Sequence, residues 1–144
     1  MAYMAPEILT KRGYTCPIDW WSLGVCAFEL LFGRRPFRGR TNTALTHSIS
    51  KDALRFPENA EEKCSVEGLN FISGVRFSPL PARCLTRVPS QLLERDPHKR
   101  IASSPQGDSL DEIQRHPWFS SIDWAALNRK ELSSPFIPDV GLFR

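Results

Sequence analysis

The chain has 144 residues, 41% of them hydrophobic and 10% aromatic, which is enough length and apolar content for one domain with a real core and too much for a disordered segment. Nineteen basic against sixteen acidic residues leave a net charge of +3, too small a surplus to argue for a nucleic-acid partner, and four cysteines without a C-x-x-C pair argue against a zinc site or a disulfide framework. No apolar run reaches the length of a membrane span and no signal-peptide pattern follows Met1, so the expectation is a soluble intracellular protein, cytoplasmic, with no membrane span.

The first nine residues, Met1 to Leu9, show no alternation and are interrupted by Pro6, which lacks an amide donor and restricts Ala5; they read as an extended loop entering one helical turn. A polar connector from Lys11 to Pro17 leads to Asp19, a strong N-cap, and the spacing predicts a helix from there to Gly33, whose tolerance of positive φ makes it a C′ stop. Trp20, Leu23, Phe28, Leu30 and Leu31 make that helix apolar nearly all round, so it is expected to be the buried axle of the fold. Arg34 to Arg40 is a basic loop with one aromatic, Phe37, read as a solvated loop whose ring packs inward rather than as a nucleic-acid patch. Thr41 or Asn42 caps a second helix to about Ser50, with Ala44, Leu45 and Ile49 on one side. Leu54 to Pro57 reads as extended, and Ser65 caps a third helix carrying Leu69 and Ile72.

From Gly74 to Ser90 the composition changes: three prolines, three arginines, no acidic residue and no coherent period. Removing seventeen residues, either Gly74 to Ser90 or Val75 to Gln91, joins Gly68 to Ser73 directly to Leu92-Leu93 and gives one continuous helical period. The stretch 74–91 therefore reads as foreign to the fold. A retained in-frame intron accounts for it, since every Val75 codon begins with GT and Gln91 can end in AG; a surface loop inserted in one family member is the alternative. Downstream, Asp96 to Ile101 ends a helix and turns, and Asp108 or Ser109 caps a short helix that closes at His116-Pro117-Trp118-Phe119. Ile122 to Leu127 supplies a further helical turn, and Ser133 to Pro138 is expected to be extended and docked by its aromatic residue.

Three separated signatures share an order. Met4-Ala5-Pro6-Glu7 resembles the A-P-E element that closes a protein kinase activation segment. Asp19-Trp20-Trp21-Ser22-Leu23-Gly24 resembles the Asp-x-Trp-Ser-x-Gly opening of the long helix of the kinase C-lobe, and Leu93 to Ile101 resembles the late C-lobe motif with its fixed arginine, Arg100. With His116 to Phe119 in its usual place, residues 1–119 are similar to the second half of a kinase C-lobe, and 120–144 form a C-terminal extension. The wording of Gly33 to Arg40 and of the tail is similar to AGC-type serine/threonine kinases, nearest the YANK subfamily. The resemblance implies a mainly α fold, a partial kinase-like C-lobe with an irregular insertion.

It also implies roles. Ala5, Pro6, Glu7, Asp19, Trp21, Gly24 and Arg100 are structural motif positions, with Glu7 paired to Arg100; the bland alternative is two separate surface charges. Met1 and Met4 match positions that line the pocket for the substrate residue after the phosphorylated one, with plain core packing an equal alternative for Met4. Glu29 matches a carboxylate with which some basic-directed AGC kinases hold a substrate arginine, although a pair with Arg34 or Arg35 of this chain is the preferred reading. The sequence contains no Gly-rich phosphate loop, no V-A-I-K lysine, no H-R-D-x-x-x-x-N loop and no D-F-G metal ligand, so no catalytic, cofactor or metal residue is assigned. ATP and Mg belong to the complete family domain, whose partner is a protein or peptide substrate; a non-catalytic interaction module binding a peptide or a partner kinase is the alternative. His47, His98 and His116 are read as surface or capping residues.

Overall fold

A computed structural model describes residues 1–10, 17–73, 91–103 and 109–137. Seven α-helices are described in chain order: α1 (Pro6–Leu9), α2 (Pro17–Phe32), α3 (Asn42–Lys51), α4 (Ala60–Lys63), α5 (Val66–Ser73), α6 (Ser109–Gln114) and α7 (Trp124–Asn128), with a 3-10 turn (Pro117–Phe119) before the last. No strand occurs among the described residues. The mainly α expectation holds.

The longest helix, α2, begins two residues before the expected cap. Pro17 stands in its first turn, where a missing amide proton costs nothing, and Asp19 is exposed in that same turn, where its charge complements the helix dipole rather than capping the chain. Its far end follows expectation: Gly33 takes φ +65° and its N–H donates to the Glu29 carbonyl at 2.8 Å.

The axle expectation needs correction. The buried residues of α2 are Pro17, Trp21, Gly24, Val25, Phe28 and Phe32, a single stripe at helical spacing. Leu23 is 47% and Leu30 86% exposed, because the other described elements cover only that stripe. The apolar character of the opposite face reads as burial in sequence and as open surface in the fold.

Two clusters build the core. The larger joins the α2 stripe to Phe37, Ile49, Leu69, Ile72 and Leu93. Phe37 is 3% exposed and stacks on Trp21 at 5.7 Å, the inward plug that the loop was expected to provide. The smaller cluster gathers Phe71, Leu92, Ile101, Ala102 and Ile113 under Trp118 and Phe119. Both are bridged by the close approach of α2 to the segment after the interruption. An added Cβ at Gly24 meets Leu92 Cβ at 2.7 Å, so only glycine fits there.

The caps agree with sequence where they are described. Thr41 Oγ1 accepts from the Ala44 N–H at 3.1 Å and Ser65 Oγ from the Gly68 N–H at 3.3 Å. Asp123, not singled out in sequence, caps α7 by accepting from the Ala126 N–H at 2.9 Å. The turn α4 was also not foreseen: four residues are too few to show a period. The expected connector 11–16, the insertion 74–90 and the Asp108 cap lie outside the described residues. On the far side of the insertion, Leu92 N–H donates to the Phe71 carbonyl at 3.1 Å and Leu93 N–H to the Ile72 carbonyl at 2.9 Å. Discounting seventeen residues, both bonds have the four-residue separation of an α-helix. The tail departs from expectation: Phe136 is 73% and Ile137 81% exposed, so this segment is not docked by its aromatic ring.

Candidate functional site

Glu7 lies on α1, which Pro6 starts and Ala5, fully buried, precedes. Arg100 is placed by a turn in which Asp96 Oδ1 accepts from the His98 N–H at 3.0 Å and the Arg100 N–H donates to the Asp96 carbonyl at 3.1 Å. The bond from the His98 N–H to the carboxylate, with Lys99 alongside, holds the Asp96 carboxyl below its ordinary range. The two side chains meet as a fork: Arg100 Nη1 to Glu7 Oε1 at 2.6 Å and Nη2 to Oε2 at 3.1 Å.

Two further donors of Arg100 are used as well. Nη1 donates to the Pro17 carbonyl at 2.9 Å and Nε to the Glu94 carbonyl at 2.8 Å, while the guanidinium lies 5.3 Å from the centre of the Trp21 ring. Arg100 is 1% and Glu7 6% exposed, so both charges are out of water and each depends on the other. One side chain thus ties α1, the start of α2 and the Glu94 segment together.

Beside this network, Arg95 makes a second clamp. Its Nε donates to the Ile49 carbonyl at 2.7 Å and its Nη2 to the Asp52 carbonyl, covering the C-terminal end of α3, and it lies over Phe37 at 5.2 Å. Partial burial lowers its guanidinium pKa, opposed by Glu94 and Asp52.

The expected peptide-facing residues gather on one exposed face. Met1 is 47%, Met4 41% and Tyr3 41% exposed, which removes core packing as the role of Met4. Glu29 corrects the preferred reading: its Oε2 accepts from the Tyr3 hydroxyl at 2.6 Å, and among the described residues it forms no ion pair with Arg34 or Arg35. That bond raises the Tyr3 phenol pKa above its ordinary value. Ser22 fixes the same strand of contacts, donating from its hydroxyl to the Tyr3 carbonyl at 3.0 Å. Tyr3 was missed in sequence, because nothing in local spacing links it to a residue twenty-six positions on.

His116 is buried, caps the 3-10 turn by accepting from the Trp118 N–H at 3.2 Å through Nδ1, and packs on Phe71. Burial lowers its pKa, against the pull of Glu67 and Glu112. Of its two expected descriptions the cap holds and the surface position does not. His47 and His98 are exposed.

Among the described residues no group of three or more His, Cys, Asp or Glu side chains is placed to hold a metal ion, and the sequence contains neither the phosphate-loop motif nor D-F-G. Among the described residues no helix is long and apolar enough to cross a membrane.

A turn carrying A-P-E, locked by a buried fork to an arginine far down the chain and backed by a Trp-Ser-x-Gly helix, is the helical scaffold of a kinase C-lobe. Residues 1–119 match the protein kinase domain family, and the chain belongs to it. It is 39% identical over 139 residues to ribosomal protein S6 kinase alpha-6 of Danio rerio and 39% identical over 139 residues to ribosomal protein S6 kinase alpha-2 of Homo sapiens, covering 96% of this chain and 16% of each relative. It is 36% identical over 138 residues to the serine/threonine-protein kinase gad8 of Schizosaccharomyces pombe, covering 96% of this chain and 20% of that one. These relatives place it among AGC-type serine/threonine kinases; the YANK placement stays an expectation from sequence. The chain spans about one sixth of the length of the S6 kinases that it matches.

Proposed function

We propose that this chain is the peptide-facing helical portion of an ATP-dependent serine/threonine protein kinase, and that by itself it neither binds ATP nor transfers phosphate. Residues 1–119 form the kinase portion, 74–91 an insertion foreign to it and 120–144 an extension. The single observation that carries the reading is the buried Glu7–Arg100 fork, which joins the two ends of the kinase signature across ninety-three residues. Phosphoryl transfer depends on aligning phosphates, metal and nucleophile, and the motifs that do so are not in this sequence. What remains is a floor of Met1, Tyr3, Met4 and Glu29 suited to an extended protein or peptide segment in the cytoplasm.

Thermal unfolding with and without Mg-ATP tests the nucleotide half of this reading, because a ligand that binds only the folded state raises its stability. An unchanged midpoint at millimolar Mg-ATP is the expected result, and a clear rise contradicts it. A second reading, a non-catalytic module that docks a peptide or a partner kinase, is favoured by the exposed apolar residues Leu23 and Leu30. An upstream reading frame encoding the missing motifs on the same transcript decides for the enzyme; its absence from full-length transcripts decides for the module.

A further inference from the structure

The open side of α2 carries a pattern of its own. Asp19, Leu23, Cys26 and Leu30 are exposed and recur at intervals of four, three and four residues, so they form one stripe along the helix, about 17 Å long at the rise of an α-helix. Ala27 is half-buried at its edge, and Arg34 stands just past Gly33, where the helix has ended. Arg34 shares a cleft with Glu29, yet among the described residues neither Arg34 nor Asp19 makes an ion pair. The apolar tail residues Phe136 and Ile137 do not cover the stripe, since they are exposed themselves.

The order of these residues is self-complementary. The midpoint of Leu23 and Leu30 falls between Cys26 and Ala27, and so does the midpoint of Asp19 and Arg34. A second copy laid antiparallel on the first, with a two-fold axis at that midpoint, brings Leu23 of each copy to Leu30 of the other and Asp19 of each to Arg34 of the other. Apolar contacts then lie at the centre, opposite charges at the rim, and the two helix dipoles run in opposite directions. Parallel pairing sets Asp19 against Asp19 and Arg34 against Arg34, which repel. An unrelated protein needs no even placement of residues about one point; a copy of the same chain does.

We propose that a second copy of this chain covers the open stripe, giving an antiparallel α2–α2 dimer whose two-fold axis passes between Cys26 and Ala27. The Cys26 side chains of the two copies then lie next to the axis and face each other. One helical stripe is a small interface, so the dimer is a weak one that forms at micromolar concentration. It does not depend on the peptide-facing reading given above, and no covalent bond is made or broken in forming it.

Sedimentation velocity of the 144-residue chain tests it. The chain is expected to shift from monomer to a discrete dimer between about 1 and 100 μM, and a short bismaleimide should link the parent dimer but not that of Cys26→Ser. Leu30→Lys should abolish both the shift and the link while keeping the thermal midpoint, because Leu30 is exposed in the single chain. Arg34→Asp should weaken the dimer about tenfold at low salt, since it places like charges together at both ends of the interface. Adding Asp19→Arg to that variant should bring the affinity back. The Leu30→Lys and Cys26 readouts decide the proposal whether or not the charge-swapped chain folds. A monomer at every concentration, larger species with no discrete dimer, or a dimer that Leu30→Lys leaves intact overturns it. A monomer whose Cys26 is shielded from a simple maleimide also overturns it, and assigns the stripe to another segment of the same chain. A folded charge-swapped chain that dimerises no better than Arg34→Asp alone overturns the antiparallel register.

Discussion

The two sides of α2 carry similar residues and have opposite fates. On one side Trp21, Val25 and Phe28 are fully buried, backed by the Arg100 network, in which buried charges are matched by donors and acceptors. On the other, Leu23 and Leu30 lie open. Apolar composition therefore marks both a core and an open surface, and what separates them is whether another element of the chain arrives to cover the stripe. The covered side is held by contacts over long sequence distances; the open side meets no other described element.

The sharpest way to break this contrast is to remove one partner of the fork. Glu7→Ala or Arg100→Ala should destabilise the chain by roughly 3–5 kcal/mol, read by urea denaturation, because each leaves an uncompensated buried charge. Arg100→Lys should also destabilise, since an ammonium cannot reach Glu7, Pro17 and Glu94 together. Phe28→Ala on the covered side should cost about 3–5 kcal/mol, whereas Leu30→Lys on the open side should change stability by no more than about 0.5 kcal/mol and raise soluble yield. Equal effects at the two positions would erase the distinction.

Gly24→Ala should cost about 1–3 kcal/mol in thermal denaturation, because its methyl group meets Leu92 and Leu93. Deleting Val75 to Gln91 should leave the Leu92 and Leu93 bonds to α5 in place and improve soluble yield, as expected for an insertion foreign to the helix; equal high yields contradict it.

The pH response is smaller. Burial lowers the His116 pKa in the folded chain, so as pH falls through about 6.5 the unfolded state takes up a proton first. Stability from this group is complete above that value and declines below it, until the folded pKa is passed. The urea midpoint should be lower at pH 5.5 than at 7.5, and His116→Gln should narrow that gap.

Much of this fold was legible in the sequence where a residue type has one local use. Gly33 at positive φ, Thr41 and Ser65 as caps, and the inward ring of Phe37 all follow from rules acting within a few residues. The Glu7–Arg100 pair came through resemblance, since no local rule connects residues ninety-three apart. The start of α2 was misplaced because Asp19 and Pro17 are both good first-turn residues, and the choice depends on the geometry of the preceding chain. Leu23, Leu30 and Phe136 were assigned to the interior from hydrophobicity alone, which records a tendency and not the presence of a cover. The Tyr3–Glu29 bond was invisible for the same reason as any long-range side-chain contact.

A double-mutant cycle on Glu7→Gln and Arg100→Met tests the scaffold most directly. If the fork joins the two halves of the kinase signature, the pair should couple by roughly 0.5–3 kcal/mol in urea denaturation, with the double variant less unstable than the sum of the single ones. Strictly additive losses would show that the two residues act apart and would contradict the scaffold on which the peptide-facing floor depends.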